Sequence, residues 1–280
     1  MTDSSVGVSA DLPSYFTGNQ KLNALKGSQW LAFTKTWFIH NPVPRGNKVI
    51  HPATLPESLA SEFINFFTKP GDWILDPFLG TGSVLLAAKT NNRHGVGIEL
   101  YPYFASFAEK QLSAVTGNVA SLVLQGDSRE VLSRVKSMSV PPFSLCLTSP
   151  PYWSQLGMST ERAKERKDKN LKTMYGKDRR DLGNIQDYDH FLEEQTELFS
   201  RVYDMTKRGG HLVVITNNVY KKGRLYPLAF DTFKALSKKW VPKDEKIWCQ
   251  DNKDLVPFGM WTAWVGNRSH HYCLIFRKEK

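Results

Sequence analysis

The tetrad Ser149-Pro150-Pro151-Tyr152, followed directly by Trp153, brings a hydroxyl, two prolines and an aromatic pair together after an apolar run. That run, Pro142-Phe143-Ser144-Leu145-Cys146-Leu147, reads as a buried strand, and the prolines must end it because neither can donate to a sheet ladder. The tetrad therefore stands at a strand's carboxyl end, the edge at which open α/β sheets bind ligands. There it offers a hydroxyl, the fixed carbonyl acceptor of Pro150 and the stacking ring of Tyr152, a set suited to a flat base with an exocyclic amine. An isolated S-P-P-Y is more often a plain strand-to-loop turn, so its chemistry depends on what accompanies it.

About seventy residues upstream, Trp73-Ile74-Leu75-Asp76 is a second apolar strand ending in an acid, and Pro77-Phe78-Leu79-Gly80-Thr81-Gly82-Ser83 turns from it into an apolar helix. Gly80 and Gly82 let the backbone approach a ligand closely, although the spacing falls short of the full G-x-G-x-x-G dinucleotide fingerprint. No Gly-Lys-Ser/Thr follows, which disfavours a Walker-type phosphate site. An acid in the position of Asp76 suits the ammonium of an amino-acid-like ligand rather than a pyrophosphate. The next strand, Gly95-Val96-Gly97-Ile98-Glu99, ends in an acid roughly twenty residues after the glycine turn, the offset at which a carboxylate takes ribose hydroxyls. A third acid, Asp127, follows Leu122-Val123-Leu124 and could accept from an adenine amine. Each acid could instead cap the helix after it, but three in register favour a cofactor that is cationic and carries adenosine.

These motifs resemble those of the S-adenosylmethionine-dependent DNA amino-methyltransferases, the N4-cytosine and N6-adenine family, in which D-P-F-x-G-x-G is the cofactor motif and S-P-P-Y the catalytic one. The segment beginning His51-Pro52 resembles the family's leading cofactor helix, and His270-His271-Tyr272-Cys273-Leu274-Ile275-Phe276-Arg277-Lys278 its closing strand. The resemblance spans roughly residues 37–277. It implies catalytic roles for Ser149, Pro150, Pro151 and Tyr152. Cofactor contacts are implied at His51, Pro52, Asp76, Pro77, Phe78, Gly80, Gly82, Ser83, Glu99, Leu100, Asp127 and Ser128. Ser before the two prolines resembles the cytosine-N4 enzymes, whereas Asp is commoner in those acting on adenine N6. The unpermuted motif order, cofactor turn before catalytic tetrad, departs from many cytosine-N4 members.

The implied chemistry is methyl transfer to an amine whose lone pair is delocalised into the ring. Ser149 Oγ and the Pro150 carbonyl would accept its two N–H bonds and aim the lone pair at the methyl group, so positioning supplies most of the catalysis. Methylation at cytosine C5 would instead require a thiolate nucleophile, and Cys146, Cys249 and Cys273 all lie in apolar, strand-like runs. A base within a duplex must be flipped out to reach such a site, at a cost of a few kcal/mol. Tyr152 is the expected stacking platform, and Trp153 either helps it or packs beneath the loop.

Charge agrees with a polyanionic partner. The chain of 280 residues carries a formal net charge of +10, and residues 161–180 hold nine Lys or Arg against four acids, a composition that suits phosphates but also suits a solvated loop. Because this stretch follows the tetrad, Trp153, Lys164, Arg166, Lys167, Lys169, Lys172, Arg179 and Arg180 are candidate DNA contacts, expected to order on binding. Lys221, Lys222 and Arg224 form a second candidate phosphate patch. Three cysteines without paired spacing argue for a reducing cytoplasm and against structural zinc, and the histidines show no metal spacing. No run of eighteen apolar residues and no basic-then-apolar leader is present.

The expected architecture is α/β, a Rossmann-like class I methyltransferase fold with helices on both faces of a seven-stranded, mostly parallel sheet. The resemblance implies the strand order three-two-one-four-five-seven-six with the seventh antiparallel. Spacing predicts strands over 73–75, 95–99, 121–125, 142–147, 211–216, 245–250 and 272–277, with helices over 57–68, 83–90, 102–112, 128–135, 188–205 and 231–239. Residues 1–27 read as a flexible arm and 28–280 as one catalytic domain, with target-recognition insertions at about 154–187 and 251–267. The latter is rich in aromatic residues that either stack on DNA or pack on the core. The expected partner is double-stranded DNA, with a homodimer and a cognate restriction endonuclease left open and no membrane. Three alternatives remain: N6-adenine methylation of DNA, methylation of an RNA base amine, and a DNA-binding module that keeps the fold without activity, which intact Asp76, Gly80, Gly82 and Ser149 disfavour.

Overall fold

The computed structural model describes residues 21–41, 55–153, 178–255 and 264–279. His51, Pro52, Lys164, Arg166, Lys167, Lys169 and Lys172 lie outside the described residues, as do most of the insertion at 154–187 and the centre of that at 251–267. The described strands are β1 (Trp37–Ile39), β2 (Trp73–Asp76), β3 (His94–Glu99), β4 (Ser121–Gln125), β5 (Phe143–Thr148), β6 (Thr206–Thr216), β7 (Val219–Lys221), β8 (Arg224–Tyr226), β9 (Val241–Cys249) and β10 (His270–Arg277). The helices are α1 (Gly27–Phe33), α2 (Glu57–Phe67), α3 (Ser83–Thr90), α4 (Pro102–Ser113), α5 (Ser128–Ser137), α6 (Tyr188–Met205) and α7 (Leu228–Leu236).

Eight strands form one sheet in the order β1-β9-β10-β6-β5-β2-β3-β4. Seven of them reproduce the expected order, and β10 runs antiparallel to both β6 and β9. The eighth is a correction: β1 adds an edge strand parallel to β9, and three residues are too few for alternation to reveal a strand in the sequence. Strand β6 begins at Thr206, five residues earlier than expected, and carries a bulge where Phe143 pairs with Thr206 and Leu145 with His211; Gly209 supplies the left-handed φ of 80° that the bulge uses. Strand β9 begins at Val241, four residues earlier than expected, because its exposed Lys-Asp-Glu stretch hides the pattern.

Both faces of the sheet are covered, which is why its central strands are apolar throughout rather than alternating. Along β6, Leu212 and Val214 face one core with Val131, Leu132, Phe191, Leu198, Phe199 and Val202 of α5 and α6. Val213 and Ile215 face the other with Leu59, Phe63, Ile64 and Phe67 of α2. Local signals set the helix starts: Asp127 caps α5 by accepting from the Arg129 amide at 2.9 Å, Asp187 caps α6 by accepting from His190 N at 2.8 Å, and Pro102 opens α4. Residues 21–27 are not a loose arm. Asn23 is buried, its Nδ2 donates to the Phe66 carbonyl, and Leu22 and Leu25 pack against the α2 core.

Candidate active site

Parallel pairing of β2 with β3 and with β5 delivers three chain segments to one edge of the sheet. Asp76 ends β2, Glu99 ends β3 and Ser149 follows β5, so the acids and the tetrad emerge from adjacent strands. Thr148, the last residue of β5, donates from Oγ1 to Asp76 Oδ1 at 2.7 Å, and the Phe78 amide donates to the same oxygen at 3.0 Å. This side-chain bridge ties the tetrad to the first acid across a span of 72 residues. Burial raises the Asp76 carboxyl to about 7, against the lowering influence of these two hydrogen bonds.

The turn after Asp76 is held from the neighbouring strand. Glu99 accepts from Gly80 N at 2.8 Å through one oxygen and from Tyr101 N at 2.9 Å through the other, and burial raises its carboxyl to about 7 as well. Glu99 is thus neither a helix cap nor free: it staples the glycine turn to β3. Gly82 adopts φ 91° as the N-cap of α3, and a Cβ there would stand 3.0 Å from Ala108 Cβ, so both conformation and space require glycine. Ser83 is buried beside it and its Oγ lacks a partner among the described residues. Ser128 donates to the Pro77 carbonyl and fastens the start of α5 to the same turn. Leu100 is half-buried between Glu99 and α4.

Asp127 departs from the reading as an open adenine acceptor. Besides capping α5, it pairs with the Arg129 guanidinium, with Nη2 to Oδ2 at 2.7 Å. Arg129 also reaches Glu194 and the Arg180 carbonyl. Cap and ion pair both engage Asp127, because the helix start and the guanidinium are two residues away. Tyr101 donates to buried Asp181 at 2.7 Å, so the chain re-enters beyond the tetrad anchored to the acid edge. Neither the Arg129–Glu194 nor the Tyr101–Asp181 contact has a local signal in the sequence.

The tetrad itself is ordered by its own side chains. Ser149 Oγ lies 3.1 Å from the Tyr152 hydroxyl, which lies 3.2 Å from His271 Nδ1 on β10. Pro150 is buried and Pro151 half-buried. Trp153 corrects the expectation of a DNA contact: it is 4 % exposed, with its ring 5.1 Å from that of Tyr188 and 4.7 Å from that of Tyr226. Its φ of 50° turns the chain inward immediately after the prolines, which is how the ring reaches the core. Trp153→Ala should therefore cost about 3–5 kcal/mol, lowering the melting temperature measured by calorimetry. Trp153→Phe should cost far less, since it also removes a buried indole N–H that has no partner among the described residues. Equal melting temperatures for wild type and Trp153→Ala would return Trp153 to the surface.

The second basic patch is divided. Lys221 sits with Nζ 3.9 Å from the Trp153 ring centroid, and desolvation, followed by the neighbouring Lys222, lowers its pKa. It packs as part of the β7–β8 hairpin rather than projecting to solvent. Lys222 and Arg224 are exposed, Arg179 is exposed, and exposed Arg180 pairs with Asp178 at 2.7 Å. Cys146 is buried and its thiol is pushed well above the ordinary value by burial and then by Asp76, while burial also raises Cys273. Neither can supply a thiolate near neutral pH. Among the described residues no group of three or more His, Cys, Asp or Glu could hold a metal ion, and no helix is long and apolar enough to cross a membrane.

Residues 13–110 match the model of a family described as DNA methylase, N6_N4_Mtase. The chain is 42% identical over 69 residues to the Type II methyltransferase M.XycI of Xanthomonas campestris pv. cyanopsidis, covering 25% of this chain and 23% of that protein. It has the same identity and coverage with the Type II methyltransferase M.Cfr9I of Citrobacter freundii. The matched stretch thus spans about a quarter of the length of these curated relatives. The structure superposes on TrmN from Thermus thermophilus with a TM-score of 0.50 at 15% identity, covering 80% of this chain and 49% of that one, a likeness of fold. The family match and the relatives agree with the resemblance carried by the motifs.

Proposed function

We propose, starting from a chain that carries DNA methylase sequence over residues 13–110, that it transfers a methyl group from S-adenosylmethionine to an exocyclic base amine in double-stranded DNA, and that the base is a flipped-out cytosine methylated at N4. The observation that carries this reading is the hydrogen bond from Thr148 to Asp76, because it sets the amine-accepting tetrad beside a buried acid that suits a cation. The residues fit the cofactor on two counts. The buried Asp76 carboxyl stands near neutrality and gains from a positive partner. The buried Ser83 hydroxyl beside the glycine turn has no protein partner among the described residues.

Asp76 with the Gly80–Gly82 turn would hold the amino-acid portion, Glu99 the ribose, and Ser128 with the start of α5 the adenine side. When bound, the cofactor supplies a methyl group on a sulfonium. The protein does the rest by position: Ser149 Oγ and the Pro150 carbonyl accept the two amine N–H bonds, Tyr152 lies against the base, and the exposed Lys222, Arg224 and Arg179 meet phosphates. Ser before the prolines supports cytosine N4 over adenine N6. Pairing with a restriction endonuclease belongs to the same proposal, since both curated relatives bear Type II methyltransferase names.

Incubating the purified protein with plasmid DNA and methyl-labelled S-adenosylmethionine, then analysing nucleosides by mass spectrometry, should yield N4-methylcytosine. Label solely in N6-methyladenine would overturn the base, and label confined to a structured RNA would overturn the substrate. Methylome sequencing of cells expressing the gene would then read the target context.

A further inference from the structure

We infer that His271 is a positioning residue of the proposed methyl-transfer site: it accepts the Tyr152 hydroxyl hydrogen and thereby sets the direction of the chain Ser149–Tyr152–His271, so that Ser149 faces the target amine as an acceptor. This rests on the reading of the site as one for an exocyclic amine, and it adds a residue that S-P-P-Y does not contain.

A serine hydroxyl rotates freely and can donate or accept, so the tetrad alone leaves its role open. The chain of contacts closes that freedom. Ser149 Oγ, Tyr152 Oη and His271 Nδ1 stand in a row at 3.1 and 3.2 Å, and each hydroxyl has a single hydrogen to place. If Nδ1 is bare, Tyr152 donates to it, the tyrosine oxygen accepts from Ser149, and the serine lone pairs are left for the amine. If Nδ1 carries the hydrogen, every bond reverses and Ser149 points a hydrogen at the amine hydrogens, which repels them.

Several features hold the ring in this contact and keep it neutral, the state in which Nδ1 can be bare. The His271 ring stacks on Trp248, with centroids 4.6 Å apart and planes 25° from parallel. His271 and Trp248 are cross-strand partners between β10 and β9, so the sheet fixes the pair. Burial lowers His271 to about 3, with Lys253 and His270 adding to the effect, and this keeps the ring neutral and one nitrogen bare at ordinary pH. Burial meanwhile raises the Tyr152 hydroxyl, with a small contribution from Cys273, so it retains its hydrogen to donate. The antiparallel direction of β10 is what makes this possible, because its first residues, not its last, lie at the ligand edge of the sheet.

The test compares His271→Phe, which keeps a ring against Trp248 but has no acceptor, with His271→Asn, which returns an acceptor oxygen near the position of Nδ1. Single-turnover methyl transfer to DNA should slow about tenfold or more in His271→Phe, the loss of one hydrogen bond. His271→Asn should recover most of it, with KM for DNA and calorimetric affinity for S-adenosylmethionine held within about twofold in both. Wild-type rate in His271→Phe, or equal slowing in both variants, overturns the proposal. Nitrogen-15 NMR of the histidine-labelled wild-type protein gives an answer free of activity and of variant folding. It should show an unprotonated Nδ1 on His271 whose resonance moves in Tyr152→Phe, and a protonated Nδ1 overturns the proposal. A wild-type protein that transfers no methyl to DNA would sink the functional reading instead, while the NMR result still decides the direction of the chain.

Discussion

Replacing Ser149 by alanine is expected to lower kcat for methyl transfer to DNA by about 10²–10³-fold, the usual consequence of removing one hydrogen-bond partner aimed at the reacting group. The substitution is small and local. Ser149 is only half-buried, and Tyr152 keeps its contact with His271, so the fold and the acid edge should persist. Affinity for S-adenosylmethionine, measured by calorimetry, should stay within about twofold of wild type, because Asp76, Glu99 and the glycine turn are untouched. That combination, a rate loss without a binding loss, marks an interaction made with the target amine. Unchanged turnover would remove Ser149 from the chemistry and leave the tetrad as a structural turn.

Replacing Asp76 by asparagine should have the opposite signature. Cofactor affinity should fall by about 10²-fold or more, since a charge-assisted contact in a buried site is lost, while the shape and both hydrogen bonds, from Thr148 and Phe78, can persist on the amide oxygen. Stability should respond in the reverse direction. Burial raises the Asp76 carboxyl to about 7 and Glu99 likewise. Between about pH 4 and 7 the folded protein therefore holds protons that the unfolded chain has released. Their stabilisation is complete below the unfolded pKa and is lost as pH rises through 7. Above pH 7 the unliganded wild type carries the cost of a buried charge that Asp76→Asn does not, so the variant should melt at the same temperature or higher. Below about pH 4, where the carboxyl is protonated in both folded and unfolded chains, the two should melt alike.

Binding of a cation reverses this preference, because it needs the carboxylates ionised. Wild-type affinity for S-adenosylmethionine should weaken as pH falls below 7. Calorimetry in two buffers of different ionisation enthalpy should detect proton release on binding at pH 6, smaller in Asp76→Asn. An Asp76→Asn protein that binds the cofactor normally but melts lower at pH 8 would make Asp76 a structural residue.

Much of this molecule is written locally. The ends of β2, β3 and β5 could be read because apolar runs stop at Asp76, at Glu99 and at a pair of prolines, features that depend on a few neighbouring residues. The order of seven strands came from the family resemblance that those motifs carry, since spacing alone shows only alternation. Local pattern failed where the residues are few or polar: β1 has three residues, the start of β9 is charged, and Trp153 was ambiguous because a ring after two prolines can turn out or in. Its left-handed backbone turned it in.

The sequence by itself determined the groups available: a Ser-Pro-Pro-Tyr tetrad, a glycine turn and acids at strand ends, all carried by residue types and short spacings. Only the tertiary structure decided how those groups are held and which are engaged. Thr148 meets Asp76 across 72 residues and Tyr152 meets His271 across 119, and no short-range pattern encodes contacts created by strand order and by the reversed direction of β10. A contact between distant segments sets the Lys221 ammonium over the Trp153 ring, while a neighbour only two residues along binds Asp127 once α5 has formed. Strand-end acids look alike in sequence because partners, not residue types, determine whether a carboxylate awaits a ligand, staples a turn or caps a helix.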